Sequence, residues 1–521
     1  MKKIAFFTVL ILFLVSNINL AQGYKIEVKI KGTENQRLIL GVHKNANLIP
    51  VDTATTDSKG YGVFTDTKAL TGGMYFVFLE KSTYFDFIIS DDQFFSIEND
   101  TTDLFTNLSF KGSDENLVFK DYQNFLITQN KKLTDLKTQK DAATDATQQA
   151  KLEEQMNNLT TEYLTYYENI QKNYPNYFFT KFLKATRPIE VPPTITDQTA
   201  QYYYYRFHYF DNFDISDVRL LQTPIYEDKI ENFLDNVVIN HPDTLIQECD
   251  MLLSKAQSNE ELYKYMLIHL FNKYAKSQLM AAENVYVHLG YIYCEKATWD
   301  TDSFKTQLKP KLDKKAKCLV GNKAKDIKLQ ILPNDSVQIN MVKTTIDEMK
   351  TKGLKIEEDK TRTFAQKMPE YSMLISDFMG NFPTGYIDVY SVKSKYTILW
   401  FMEPDCSHCK KETPIFYQAY LDSLKSLDVT VFCVYMHRDI DDWANFCNSI
   451  GHWFDFVKTN KMYEWNNLWN PFTTTEDNYR ENYDISSTPV LYLLDSEKII
   501  LAKRVGWEQA VEMIQEMEGV K

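Results

Sequence analysis

The residues best suited to chemistry are two cysteines with two residues between them, Cys406-Ser407-His408-Cys409. Upstream, Thr397 to Met402 is an apolar run of strand character that ends at a Glu403-Pro404 break, and downstream the spacing turns helical. Cys406 is thus expected at a helix N-terminus, where backbone N–H groups and the macrodipole favour a thiolate over a thiol. A free cysteine with a pKa near 8.5 is only about 3% thiolate at pH 7, and lowering that pKa to about 7 makes half of it reactive. Cys409 follows on the same face of the first turn, close enough to close a small disulfide. The spacing predicts Cys406 as nucleophile and Cys409 as resolving thiol, a pair able to attack, hold and release a disulfide. A protonated His408 adds to the stability of the thiolate, and the neighbouring Asp405 opposes it.

The elements that position this pair begin near Gly321 and read as α/β. Ile327–Leu332, Tyr386–Tyr390, Tyr396–Met402, Val429–Met436, Val490–Leu494 and Ile499–Val505 have strand character. Helices are expected after Cys406, around Asp442–Ser449, and at Trp507–Glu518. A charged, partly helical segment intervenes from about Gln338 to Gly380, and Trp453–Asp484 is a long aromatic and polar stretch.

The preceding chain divides by period. From Tyr24 to about Gly112, Ile26, Val28 and Ile30, then Leu38, Leu40 and Val42, alternate with polar residues, and further short strands predict an all-β sandwich. No cluster of His, Asp or Cys marks chemistry there, so a docking, dimerising or purely structural role is expected. At Gly112-Ser113-Asp114 the period becomes helical, with Ser113 or Asp114 as N-cap. Leu117–Leu126 and then Leu152, Met156, Leu159, Tyr163 and Ile170 predict a helical hairpin ending at Asn173-Tyr174-Pro175. The aromatic run Tyr202–Asp211 has two readings, an exposed recognition surface or, preferred, a helix buried between neighbours, and four more helical patterns follow to Glu295.

Composition narrows the function classes. At 521 residues the chain has room for about three domains. Lys2-Lys3, the apolar Ile4–Val15 and Ala21 before Gln22 read as an export signal, which predicts a soluble mature protein in the periplasm or cell envelope. No cysteine follows the apolar run, so a lipid-anchored N-terminal cysteine is not expected. Losing two lysines and no acid with the leader takes the formal charge from -13 to -15, unfavourable for nucleic acid and anionic membranes. Seven cysteines are too few for a disulfide scaffold. Cys249, Cys294, Cys318, Cys433 and Cys447 lie at no metal-ligand spacing and read as buried structural thiols; neither metal nor cofactor is predicted.

A strand, Cys-x-x-Cys at a helix start, a βαβ crossover, Thr488-Pro489 before a strand and a terminal ββα resemble the thioredoxin fold. The chain is most similar there to exported bacterial thiol–disulfide oxidoreductases of the TlpA/ResA group. The likeness is carried by Tyr396-Thr-Ile-Leu-Trp-Phe401, Lys410-Lys-Glu-Thr-Pro414, Pro489-Val-Leu-Tyr-Leu-Leu-Asp495 and Lys498-Ile-Ile500. Tyr24 to about Gly112 resembles a β domain found before such proteins, and Arg206 to about Trp299 an uncharacterised helical domain fused to them. The chain departs from the pattern at Asp405, at Ser407-His408, at Lys325 and in the insertion after Gln338.

The fold class that follows is multidomain. A leader (1–21) precedes an all-β sandwich-like domain (22–112), an all-α domain (113–320) and an α/β thioredoxin-like domain (321–521, insertion about 338–384). The resemblance implies a Thr488–Pro489 cis bond facing the cysteines, with Thr488 backbone groups available to a substrate chain. It also implies Glu412, one turn beyond Cys409, as proton relay, the other reading being a helix-surface carboxylate paired with a lysine, while Pro414 is expected to kink the helix. The implied partners are exported proteins with disulfides or free thiols and an upstream membrane electron donor or acceptor, with self-association through the N-terminal domains. Two other readings of the residues stay open. One is an envelope interaction protein whose cysteine pair is a structural disulfide. The other is a thiol peroxidase, which lacks its Thr-x-x-Cys site because Glu403-Pro-Asp precedes Cys406.

Overall fold

The computed structural model describes residues 23–79, 83–280, 282–333, 335–437, 442–469 and 478–520; the expected leader lies outside them. Two compact units result. One runs to Asn240 and takes in Gln247–Met266, and the other consists of His241–Ile246 with Leu267–Lys521.

The first unit opens with β1 (Tyr24–Lys31), β2 (Arg37–Lys44), β3 (Asn47–Thr55), β4 (Tyr61–Asp66), β5 (Gly73–Phe78), β6 (Tyr84–Ile89), β7 (Phe94–Asp100) and β8 (Ser109–Lys111). They form two four-stranded sheets, β4-β1-β7-β8 and β3-β2-β5-β6. Alternation explains the packing: Ile26, Val28 and Ile30 point into one shared core with Leu38, Leu40, Phe85 and Phe87. β3 does not announce itself in the sequence. It is an edge strand containing Pro50, with Leu48, Ile49 and Val51 about two-fifths exposed, so no buried alternation marks it.

The helices are α1 (Asp114–Ala142), α2 (Ala146–Asn173), α3 (Phe178–Ala185), α4 (Gln198–His208), α5 (Val218–Leu221), α6 (Tyr226–Asn232), α7 (Pro242–Ala256), α8 (Glu260–Lys276), α9 (Ala282–Lys296) and α10 (Asp302–Ala316). α1 and α2 form the hairpin, with Ser113 as N-cap and the Asp145 carboxylate capping Gln148 N–H. The aromatic helix α4 departs from expectation. None of its residues is buried and Phe207 is 73% exposed; in the aromatic run only Tyr209, past the helix end, is sealed off.

The second unit carries a seven-stranded mixed sheet of order β10-β9-β13-β12-β11-β14-β15. In chain order its elements are β9 (Lys328–Ile331), α11 (Ser336–Glu358), α12 (Phe364–Gly380), β10 (Tyr386–Asp388), β11 (Tyr396–Met402), α13 (Ser407–Ala419) and β12 (Val429–Tyr435). These are followed by α14 (Trp443–Thr459), β13 (Asn466–Trp469), α15 (Tyr479–Asn482), β14 (Val490–Leu494), β15 (Ile500–Lys503) and α16 (Trp507–Met517). β11 runs parallel to β12 and antiparallel to β14, which pairs antiparallel with β15. The central strands are buried on both faces: Ile398, Trp400 and Met402 meet one core, while Leu399 and Phe401 meet the other. This is the thioredoxin-like arrangement, with the cysteines leaving the C-terminal end of β11.

The insertion is more ordered than its charge pattern indicates. Val342, Ile346 and Met349 of α11 and Tyr371, Ile375 and Phe378 of α12 belong to the core around α13. β13, inside the aromatic stretch, pairs with β12 and β9, and α14 extends past Ser449 to Thr459. Cys249, Cys318, Cys433 and Cys447 are buried, whereas Cys294 is only half-buried.

Candidate active site

β11 ends at Met402, and Glu403-Pro404-Asp405 turns the chain so that Cys406 becomes the N-cap of α13. The Cys406 N–H donates to Glu403 O at 3.2 Å, and the Lys410 N–H donates to Cys406 O at 3.0 Å. Cys406 Sγ accepts the Cys409 N–H at 3.5 Å, as a capping oxygen does at other helix starts. α13 is fixed on the sheet from behind. Trp400 Nε1 donates to Thr413 Oγ1 at 3.0 Å, and Phe416 packs against Trp400, Trp465 and Trp507. Pro414 sits inside α13, which continues to Ala419; having no N–H, it leaves the Lys410 carbonyl without its helical donor.

The two thiols are unlinked and differ in environment. Cys406 is half-buried. Burial pushes its pKa up, but the Cys409 N–H and thiol, the His408 N–H and Thr488 outweigh this and hold it below the ordinary cysteine value. Cys409 is fully buried, and burial pushes its pKa up to about 12 against the opposing Glu403 N–H and Thr488. A negative charge on Cys406 adds to that rise. The arrangement therefore has one thiol that ionises readily and one that holds its proton.

The Thr488–Pro489 peptide bond is cis, and its loop brings the Thr488 carbonyl to 3.6 Å from Cys406 Sγ. Glu412 lies one turn beyond Cys409, with a side chain 17% exposed. Trp507 Nε1 donates to its Oε2 at 3.1 Å, and Lys411 Nζ lies 3.3 Å from its Oε1. The Trp507 bond, ahead of the Lys411 contact, holds this carboxyl below the ordinary glutamate value. His408 is exposed, and its charge acts on Glu412. Asp405 is not a bare charge beside the thiol, since its Oδ1 meets His452 Nδ1 of α14 at 2.8 Å. Trp507 and His452 are not evident from sequence motifs, because they lie 95 and 47 residues from their partners. Among the described residues no group of three His, Cys, Asp or Glu side chains is placed to hold a metal. Nor is any helix long and apolar enough to cross a membrane.

A family model described as a domain of unknown function, DUF5106, matches residues 138–314. The chain is similar to a thioredoxin-like protein from Bacteroides caccae at 18% identity and TM-score 0.40, covering 63% of this chain and 98% of that one. It is similar to a domain of a possible thiol-disulfide isomerase from Cytophaga hutchinsonii at 24% identity and TM-score 0.25, covering 39% and 95%. A third similar structure is the thioredoxin domain of a thiol-disulfide oxidoreductase from Bacteroides vulgatus, at 25% identity and TM-score 0.21, covering 26% and 86%. No curated protein matches the chain.

Proposed function

We propose that the chain is a thiol–disulfide oxidoreductase of the bacterial cell envelope, of the TlpA/ResA type, exchanging disulfides with exported proteins through Cys406 and Cys409. One observation carries this reading. A half-buried thiol of lowered pKa caps a helix, beside a cis-proline loop and a buried partner thiol. The Cys406 thiolate attacks one sulfur of a substrate disulfide; that S–S bond breaks and the leaving sulfur takes a proton. The result is a mixed disulfide between Cys406 and substrate. Cys409 then loses its proton and attacks the Cys406 sulfur, releasing the second substrate thiol and forming the Cys406–Cys409 disulfide. Two electrons have passed to the substrate. A donor thiol pair on an envelope partner restores the reduced site, and the same steps reversed oxidise a dithiol.

Cys409 becomes easier to ionise once Cys406 is bound in the mixed disulfide, because the neighbouring thiolate charge is then gone. Glu412, held as a carboxylate, is the acceptor for that proton. The Thr488–Pro489 loop supplies backbone groups that align an extended substrate chain. The test is insulin reduction with a dithiol donor: Cys406→Ser is expected to abolish turnover, and unchanged turnover would overturn the reading. Cys409→Ser is expected to accumulate mixed disulfides, whose captured partners identify the substrates.

A further inference from the structure

At the opposite end of the sheet, where β11 and β12 begin and the β14–β15 turn folds over, lies a cleft of about 670 Å³. Its lining holds Lys323, Lys393, Lys395 and Lys498 against the carboxylates of Asp428 and Glu497, together with the hydroxyls of Ser394 and Ser496. Lys395 is already neutralised by Glu518 at 2.6 Å, and Asp428 accepts the Lys395 N–H at 3.0 Å. Among the described residues, Lys323, Lys393 and Lys498 have no carboxylate at ion-pair distance; Lys323 lies over the Tyr390 ring at 4.8 Å. Unpaired cations in one cleft are unexpected in a chain with 71 acidic and 58 basic residues, which offers carboxylates in excess.

Lys498 is the unusual member. It is 3% exposed, and the only hydrogen-bond acceptor that its ammonium meets among the described residues is Thr397 Oγ1 at 2.9 Å, which in turn meets Ser394 Oγ at 3.1 Å. Taking an ammonium out of water costs several kcal/mol when no carboxylate contacts it, and among the described residues none lies at ion-pair distance from Lys498. Its backbone adds to the cost, with φ at 66°, a conformation that penalises a residue bearing a Cβ by about 1–2 kcal/mol. Burial and the neighbouring Lys393 lower its pKa and outweigh the more distant charges of Asp495, Asp428 and Glu497. Local cost of this kind at a cleft wall is characteristic of binding sites.

We infer that this cleft is an oxyanion-binding site, in which Lys498, Lys393 and Lys323 surround a phosphate-type group and the Ser394 and Ser496 hydroxyls donate to it. Lysine ammonium groups bind phosphate as point charges without demanding the planar geometry of arginine. The site is separate from the cysteines. β11 alone spans roughly 20 Å between them at about 3.3 Å per residue, so one small ligand does not touch both. The inference does not rest on the redox reading.

Inorganic phosphate titrated into the full-length chain at constant ionic strength is expected to bind saturably, at one equivalent, and to raise the melting temperature. Lys498→Met abolishes both effects, and Lys393→Gln weakens binding roughly tenfold or more. Cys406→Ser leaves both effects intact. Glycerol phosphate in parallel separates the two sources of the group: tighter binding of the ester assigns a phosphate carried on a larger molecule, and tighter binding of the inorganic ion a free oxyanion. Either result supports the site. Absence of saturable binding by both anions, or binding unchanged in Lys498→Met and Lys393→Gln, overturns it. If Lys498→Met does not fold, the Lys323→Gln, Lys393→Gln double variant decides between the same outcomes.

Discussion

The asymmetry between Cys406 and Cys409 has a direct consequence for labelling. Cys406 is held below the ordinary cysteine value and Cys409 is pushed up to about 12, so an alkylating reagent meets one thiol that ionises more readily than a free cysteine and one that keeps its proton. In the reduced protein, iodoacetamide is expected to modify Cys406 with an inflection below that of a free cysteine and to leave Cys409 untouched. Peptide mapping across a pH series checks this, and equal labelling of the two at pH 7 contradicts the assignment. Trp507 provides a second prediction. Its indole N–H is the largest influence holding Glu412 ionised, while its ring stacks on Phe416 at 5.9 Å. Trp507→Phe keeps an aromatic ring there and removes the donor. The Glu412 carboxyl is expected to titrate at higher pH, moving the acid limb of the resolution step upward with little change in attack by Cys406. Single-turnover kinetics of each step against pH read this directly. The cysteine pair is legible in the sequence because its geometry is local, whereas the cis-proline turn, 82 residues away, is indicated only through the family resemblance. The partners of Asp405 and Glu412 are not, because they arrive from α14 and α16.

Helices α11 and α14 show how the insertion is built into the site's support. Gly353 of α11 faces Trp443 of α14 so closely that a Cβ added there meets the indole Nε1 at 1.9 Å. Trp443 is fully buried, donates to Met349 O at 3.3 Å and stacks on Tyr371 of α12 at 4.7 Å, so it has no cheap way to move. Gly353→Ala is therefore expected to destabilise the second unit by roughly 1–3 kcal/mol through overpacking, opposing the ~1 kcal/mol that alanine brings to a helix. Urea titration followed by tryptophan fluorescence measures the loss. Adding Trp443→Phe to Gly353→Ala is expected to recover part of it, and strict additivity of the two changes rules out the contact. The charged periodicity of this segment indicates helix without indicating burial, since its apolar residues are spread thinly among lysines and acids. β13 was hidden for a different reason. Asn466-Asn-Leu-Trp469 has no alternation of its own and becomes a strand by lying between β12 and β9.

Within the second unit, long-range order rests on charge as well as on apolar packing. Glu283 at the start of α9 forms ion pairs with Lys503 of β15, with Lys315 of α10 at 2.7 Å and with Arg504 at 3.6 Å. Lys315 and Arg504 continue to Asp484 at 3.1 and 2.5 Å, and Lys503 also donates to Cys318 O at 2.8 Å. The network joins the last helices of the α-helical stretch to the edge of the seven-stranded sheet. No sequence pattern signals it, since its members are scattered over more than two hundred positions; the thioredoxin-like pattern specifies the sheet and says nothing of what is clamped to its edge. The Lys503 side chain is only 4% exposed, which makes removal of its partner expensive. Burial pushes the Glu283 carboxyl up, but Lys503 and Lys315 outweigh this and hold it below the ordinary glutamate value. A carboxyl depressed in the folded state contributes stability that is complete above its unfolded pKa and lost as pH falls through the folded one. Glu283→Gln is expected to cost about 3–5 kcal/mol at neutral pH by stranding Lys503. It also removes this share of the acid-induced loss, so the stability of variant and parent converges as pH falls below the ordinary glutamate range. Chemical denaturation at several pH values supplies both curves, and a difference that stays constant with pH means that the Glu283 charge is not what holds the helices to the sheet.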